Sequence, residues 1–137
     1  MKKLLILTSL FISGSLWADV ELPPCEGDKM SWTACTYAIG SAKYSGEFYN
    51  GRFHGTGTLS YASGDMYFGE FQVGRVHGQG TYFFNSGNKY EGGFKNGMKH
   101  GQGVMTWADG DRYVGEMRND EQHGKGTIYW HEGDVYQ

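Results

Sequence analysis

A period of 23 residues constrains this chain more than any other feature. Segments opening at Tyr44, Tyr67, Tyr90 and Tyr113 read YSGEF, YFGEF, YEGGF and YVGEM. Ten residues after each tyrosine come HGTG, HGQG, HGQG and HGKG, followed by ASGD, NSGN, ADGD and HEGD. The units cover 44–66, 67–89, 90–112 and 113–135, and Tyr136-Gln137 stand where a fifth would begin. A unit this short cannot bury an apolar face alone, so neighbouring units must stack around one continuous core. The period holds 20 of the chain's 23 glycines, yet 16% of the residues are aromatic. Flexible Gly-rich linkers lack such aromatics, and the absence of a Gly-X-Y run excludes a collagen triple helix.

Each unit reads as two short strands. In the first unit they run from Tyr44 to Tyr49 and from Thr56 to Tyr61. Asn50-Gly51 marks a tight turn between them, and Ser63-Gly64-Asp65 a turn into the next unit. Val73-Gly74 and Asn96-Gly97 repeat the first turn. Asn119-Asp120 departs from it, and because Asp adopts positive φ less readily than Gly, this hairpin is expected to be looser or different.

Alternation along strands assigns the two faces. One carries Tyr44, Gly46, Phe48, Gly57, Leu59 and Tyr61, with Tyr67, Gly69, Phe71, Gly80, Tyr82 and Phe84 in the second unit. The third contributes Tyr90, Gly92, Phe94, Gly103, Met105 and Trp107, and the fourth Tyr113, Gly115, Met117, Gly126, Ile128 and Trp130. A glycine beside a ring leaves room for the ring to lie across the backbone. The other face, with Glu47, Glu70, Glu116, Thr58, Thr81 and Thr127, is the more polar. The expected fold is all-β: a single twisted antiparallel sheet of tandem 23-residue β-hairpins. Eight strands at about 4.8 Å spacing make an open ribbon roughly 35–40 Å long.

The residues before the repeats read differently. Met1, Lys2 and Lys3 form a positive start, Leu4 to Trp17 is mostly apolar, and Ala18 supplies a small residue. This is the pattern of a secretory signal peptide over 1–18, with an uncleaved anchor as the alternative; the apolar run is shorter than the roughly 20 residues of a spanning helix. Cleavage removes two lysines and no acid, so the net charge goes from −3 to −5. An acidic chain does not suit nucleic acid and is repelled by anionic lipid.

Residues 19–43 are expected to form an N-terminal cap. In an exported chain its cysteines, Cys25 and Cys35, are expected to pair as a structural disulfide. Two cysteines without a nearby histidine cannot complete a tetrahedral zinc site. Tyr37 to Gly40 echo the second half of a unit, and the repeat domain then runs over 44–137. Localisation is expected in the periplasm or outside the cell, with association to the envelope.

Catalytic chemistry finds little support in these residues. His54, His77, His100 and His123 recur two strands apart, about 10 Å, and cannot share one metal ion. They read as packing or hydrogen-bonding groups at the hairpins, with a pH-dependent contact as the alternative. Glu47 and Glu70 are expected about 10 Å apart, near the limit for an inverting glycosidase, but on a ladder rather than in a cleft. No phosphate-binding loop has its lysine, and no serine or cysteine sits in a nucleophile motif. No catalytic residue, metal or cofactor is expected, and the chain is read as a non-enzyme.

The pattern YxGEFxxGxxHGxG…G at this period resembles the MORN (membrane occupation and recognition nexus) repeat family, in an exported, bacterial-type form. Tyr44, Gly46, Glu47, Phe48, Gly51, His54, Gly55 and Gly57, with their equivalents, carry the resemblance. Gly93, Met117 and Asp120 depart from it. The resemblance implies a twisted, groove-forming antiparallel sheet. It also implies roles in protein binding, dimerisation and scaffolding, and in some members contact with membrane lipid. Enzymes of the family carry a separate catalytic domain, and none is expected here.

The candidate binding residues are those of the aromatic face: Tyr44, Phe48, Tyr67, Phe71, Tyr82, Phe84, Tyr90, Phe94, Trp107, Tyr113 and Trp130. The expected function is a non-catalytic, exported interaction or scaffolding module. It would bind a protein partner or a second copy of itself through the open sheet edge. The alternative is a lipid- or glycan-binding module at the membrane or cell envelope; nucleic acid is not an expected partner.

Overall fold

The computed structural model describes residues 31–133 and 135–137. The expected signal segment, residues 1–18, and Cys25 of the expected disulfide lie outside the described residues. Ten strands follow in chain order: β1 (Ser31–Ile39), β2 (Ala42–Tyr49), β3 (Arg52–Ser60), β4 (Met66–Gln72), β5 (Arg75–Phe83), β6 (Lys89–Lys95), β7 (Met98–Thr106), β8 (Arg112–Arg118), β9 (Glu121–Tyr129) and β10 (Val135–Tyr136). They form one open antiparallel sheet in which each strand pairs with the next. The eight expected strands are β2 to β9. The segment that echoes half a unit forms a full strand, β1, with Cys35 buried opposite Gly46. The start of the fifth unit adds β10 beside β9.

All four hairpin turns hold positive φ at both central positions, the type I′ geometry that suits strand twist and that Asn and Gly tolerate best. Asn50 and Gly51 have φ of 48° and 71°, Val73 and Gly74 51° and 80°, and Asn96 and Gly97 52° and 86°. Asn119 and Asp120, at 50° and 71°, adopt the same turn, which corrects the expectation of a looser loop there. The reason is tertiary. Asp120 Oδ1 accepts the Lys99 N–H at 2.9 Å, and Asp120 N–H donates to the Lys99 carbonyl at 3.1 Å. The neighbouring hairpin therefore holds a conformation that the residue type disfavours.

HGxG proves to be a β-bulge. Pairing of β2 with β3 runs Tyr44↔Leu59 and Gly46↔Gly57, then shifts to Glu47↔His54 and Phe48↔Phe53. Gly55, at φ 59°, and Thr56 are the extra residues. The three other hairpins shift at the same place. β3 consequently starts at Arg52 rather than at the expected Thr56, and Phe53 joins the tyrosine face. Val76 does the same one unit later, opposite Phe71.

The core is a layer of rings over glycines. Tyr44, Tyr67 and Tyr90 are fully buried, each with 0% exposure. The Tyr44 hydroxyl donates to the Glu47 carbonyl at 2.8 Å, inside the bulge, and Tyr67, Tyr90 and Tyr113 donate likewise to the carbonyls of Glu70, Gly93 and Glu116. Phe71 stands edge-on to both Tyr44, at 5.0 Å, and Tyr67, at 5.1 Å. Phe94 does the same between Tyr67 and Tyr90, at 5.1 and 5.2 Å. Each phenylalanine thus joins its own unit to the preceding one, in the edge-to-face geometry that aromatic quadrupoles favour. Met117, also buried, takes that position in the fourth unit.

A second link runs along the opposite turns. Asp65 Oδ1 accepts the Asn85 N–H at 2.8 Å, Asn88 Oδ1 the Ala108 N–H at 3.0 Å, and Asp111 Oδ1 the His131 N–H at 2.8 Å. These side chains fasten each turn to the one after it.

Candidate functional site

The sheet exposes two unlike faces, and the candidate residues divide between core and surface. Tyr44, Phe48, Tyr67, Phe71, Tyr90, Phe94 and Tyr113 are buried in the ring layer. Tyr82, Phe84 and Trp107 are half-buried at the margin of that layer, and Trp130 is 46% exposed. The structure therefore assigns packing to the first seven and leaves accessible aromatic surface to the other four.

A broad concavity lies on the other face. It is an open groove of about 670 Å³. Gly69, Gly80, Gly92 and Gly103 line it together with Thr56, Glu70, Gln79 and Gln102. Through it runs a cross-strand row, Thr58↔Phe68↔Thr81↔Glu91↔Val104↔Val114↔Thr127. Phe68 is 52% exposed there. Glu91 is paired with Lys89 at 2.8 Å. The face is thus mixed rather than uniformly polar. The sequence did hold a signal for it. The second residue of YxGEF changes from Ser45 to Phe68, Glu91 and Val114 while its neighbours stay fixed.

The repeated glutamates serve the bulges. Glu47 Oε1 accepts the Thr56 N–H at 3.2 Å and the Thr56 hydroxyl at 2.8 Å, and Glu70 Oε1 accepts the Gln79 N–H at 3.0 Å. These carboxylates replace ladder bonds that the bulge breaks. In the third unit Gly93 lacks that side chain, and the His100 carbonyl oxygen sits where a Cβ on Gly93 would be. His100 Nδ1 is buried there without a hydrogen-bond partner among the described residues. His77 Nδ1 accepts the Asn96 N–H at 3.5 Å, His54 is half-buried and His123 is exposed. Among the described residues no group of three or more His, Cys, Asp or Glu is placed to hold a metal ion.

Ionisation follows the packing. Burial pushes the Tyr44 and Tyr67 hydroxyls well above their ordinary range, helped by the nearby Glu47 and Glu70 charges, and pushes Tyr90 up to about 12. The hydrogen bond from the Asn85 N–H holds the Asp65 carboxyl below its ordinary value.

The tyrosine, the two glycines beneath it and the bulge recur at the period of a known motif. The family model of the MORN repeat matches residues 44–66, 67–89, 90–112 and 113–135. The chain belongs to the MORN repeat family. The matched stretches coincide with the four units that the period marks off. MORN repeats generally mediate interactions with proteins or membranes. No curated protein matches this MORN chain in sequence.

Proposed function

We propose that this MORN protein is an exported scaffolding module without catalysis of its own, and that it holds a protein partner in the groove opposite its tyrosine layer. The observation that carries the reading is the groove itself. It spans several units, its glycines leave backbone close to the surface, and Phe68, Val104 and Val114 supply apolar contact among hydrogen-bonding side chains. Such a mixture suits a polypeptide better than a small polar substrate. The ring layer supports the same assignment, because most of the opposite face is taken up by its own packing. Export rests on the Met1 to Ala18 pattern.

The test is capture from the envelope fraction of the source cells with the full chain as bait, beside Phe68→Asp, Val114→Glu and Tyr129→Ala variants that retain the wild-type circular dichroism. The expected result is one protein recovered by wild type and Tyr129→Ala and lost from both groove variants. Equal recovery by all four baits, or recovery of lipid or glycan without protein, would overturn the groove assignment. Export is checked separately by the mass of the protein isolated from that fraction, which should correspond to a chain beginning at Asp19.

A further inference from the structure

We propose that the C-terminal end of the aromatic face is a binding site for an alkylated ammonium group, such as the trimethylammonium of choline. The inference comes from comparing units within the molecule. Lys99 Nζ lies 5.6 Å from the ring centre of Phe84 and 5.8 Å from that of Tyr90. One period later Phe84 becomes Trp107 and Lys99 becomes Gln122. The ring is now the kind that attracts cations most strongly, and the cation that the molecule itself supplied has gone.

The space is open as well. In the earlier units Tyr61 packs on Tyr82 at 5.8 Å and Tyr82 on Phe84 at 4.6 Å, ring against ring. Further along, the positions of Tyr82 and Phe84 hold Ile128 and Trp130. There Trp107, Ile128, Trp130, Asp109, Asp111 and Gln122 enclose a cavity of about 320 Å³. A second cavity of about 420 Å³ shares Asp109, Asp111 and Trp130 and adds His131 and Glu132.

The polar groups select the sign of the ligand. Asp65 uses both carboxylate oxygens, one on the Asn85 N–H and one on the Tyr82 hydroxyl at 3.1 Å. Asp111 uses Oδ1 on the His131 N–H, but Ile128 stands in place of Tyr82 and has no hydroxyl to offer its Oδ2. Asp109 replaces the Ser63 and Ser86 of earlier units and adds a further negative charge. Neither cavity is lined by Lys or Arg. Two indoles beside acceptor-only carboxylates suit a cation with an apolar surface. A neutral sugar can also donate its hydroxyls to these carboxylates, but it leaves their negative charge uncompensated, whereas a cation neutralises it. Ammonium itself is held back by its hydration, whereas a methylated ammonium loses little on leaving water.

The test is calorimetric titration of the full chain with choline chloride, with ammonium chloride and glucose as comparison probes at matched ionic strength. The expected result is saturable choline binding at least about tenfold tighter than ammonium, with no heat from glucose. Trp130→Ala and Asp111→Asn should each weaken it by about tenfold. Asn at position 111 keeps the acceptor for His131, as Asn88 does for Ala108, so loss of fold is not what that variant reads. Flotation with phosphatidylcholine vesicles, reversed by free choline, would assign a lipid headgroup as the source; choline binding without flotation would assign a soluble one. The proposal is overturned by absence of saturable choline binding, by equal binding of ammonium, by glucose binding in its place, or by unchanged affinity in both variants. Phe68→Asp on the opposite face leaves the expected choline binding intact, so this site and the groove stand or fall separately.

Discussion

The Tyr44 ring lies so closely over Gly57 that a methyl group built on that glycine would stand 2.5 Å from the tyrosine hydroxyl. The relationship recurs in every unit, with Tyr67 over Gly80, Tyr90 over Gly103 and Tyr113 over Gly126. It accounts for an aromatic-rich chain being glycine-rich as well. A single sheet has no second layer to cover its rings, so it buries them against its own backbone. Gly57→Ala should therefore destabilise the fold by about 1–3 kcal/mol through overpacking, and Tyr44→Phe by about 1 kcal/mol through the lost hydroxyl bond. Urea unfolding of Gly57→Ala, Tyr44→Ala and the double variant checks the contact: the double variant should lose less than the sum of the singles.

Val73 is a β-branched residue at φ 51°, where the other three hairpins place Asn. The left-handed conformation costs a residue with a bulky Cβ about 1–2 kcal/mol. Val73 is exposed, so little packing is lost on replacement. Val73→Asn should raise stability by about 1 kcal/mol, seen as a higher urea midpoint with unchanged slope.

Asp120 combines an unfavourable φ with a bond that the glycines at this turn position cannot make. Asp120→Gly relieves the first and loses the second, two effects of about 1 kcal/mol each and opposite sign. The expected net change is close to zero. Asp120→Ala keeps the strain and loses the bond to Lys99 N–H, so it should cost about 1–2 kcal/mol. Thermal unfolding of the two variants separates these outcomes.

The buried tyrosines predict an alkaline limit. Tyr90 ionises at about 12 in the folded chain, against about 10 for an unfolded tyrosine. A raised folded value means that the stabilisation is complete below about pH 10 and is lost as pH rises from 10 towards 12. Tyr44 and Tyr67, raised further, act in the same direction. The urea midpoint should fall steeply across that window, and phenolate absorbance should appear together with unfolding. Tyr90→Phe should make the fall shallower.

Legibility in the sequence differed from element to element. Asn50-Gly51 announced its turn because its residues have the required local preference. Asn119-Asp120 did not, because its conformation depends on Lys99 in another hairpin. His54-Gly55 fell outside the expected second strand because the bulge interrupts pairing on one side only; Gly55 and Thr56 are extra to β2 but pair regularly with Phe71 and Glu70 of β4. For that reason Phe53 and Val76 escaped the aromatic face. The carboxylates of Glu47 and Glu70 clamp the bulge through bonds to Thr56 and Gln79 that depend on its folded geometry.

By itself, the sequence determined the repeat, its two strands per unit, the type of most turns and which residues of the expected strands share the tyrosine face. All of these follow from spacing along the chain and from what each residue tolerates locally. Only the tertiary structure decided which surfaces stay open. The rings close over their glycines, so the groove falls on the opposite face. Trp107 and Trp130 border a cavity because Ile128 does not fill the space that Tyr82 fills earlier. Both outcomes depend on how side chains of neighbouring units occupy a shared volume, and that volume exists only once the units have stacked.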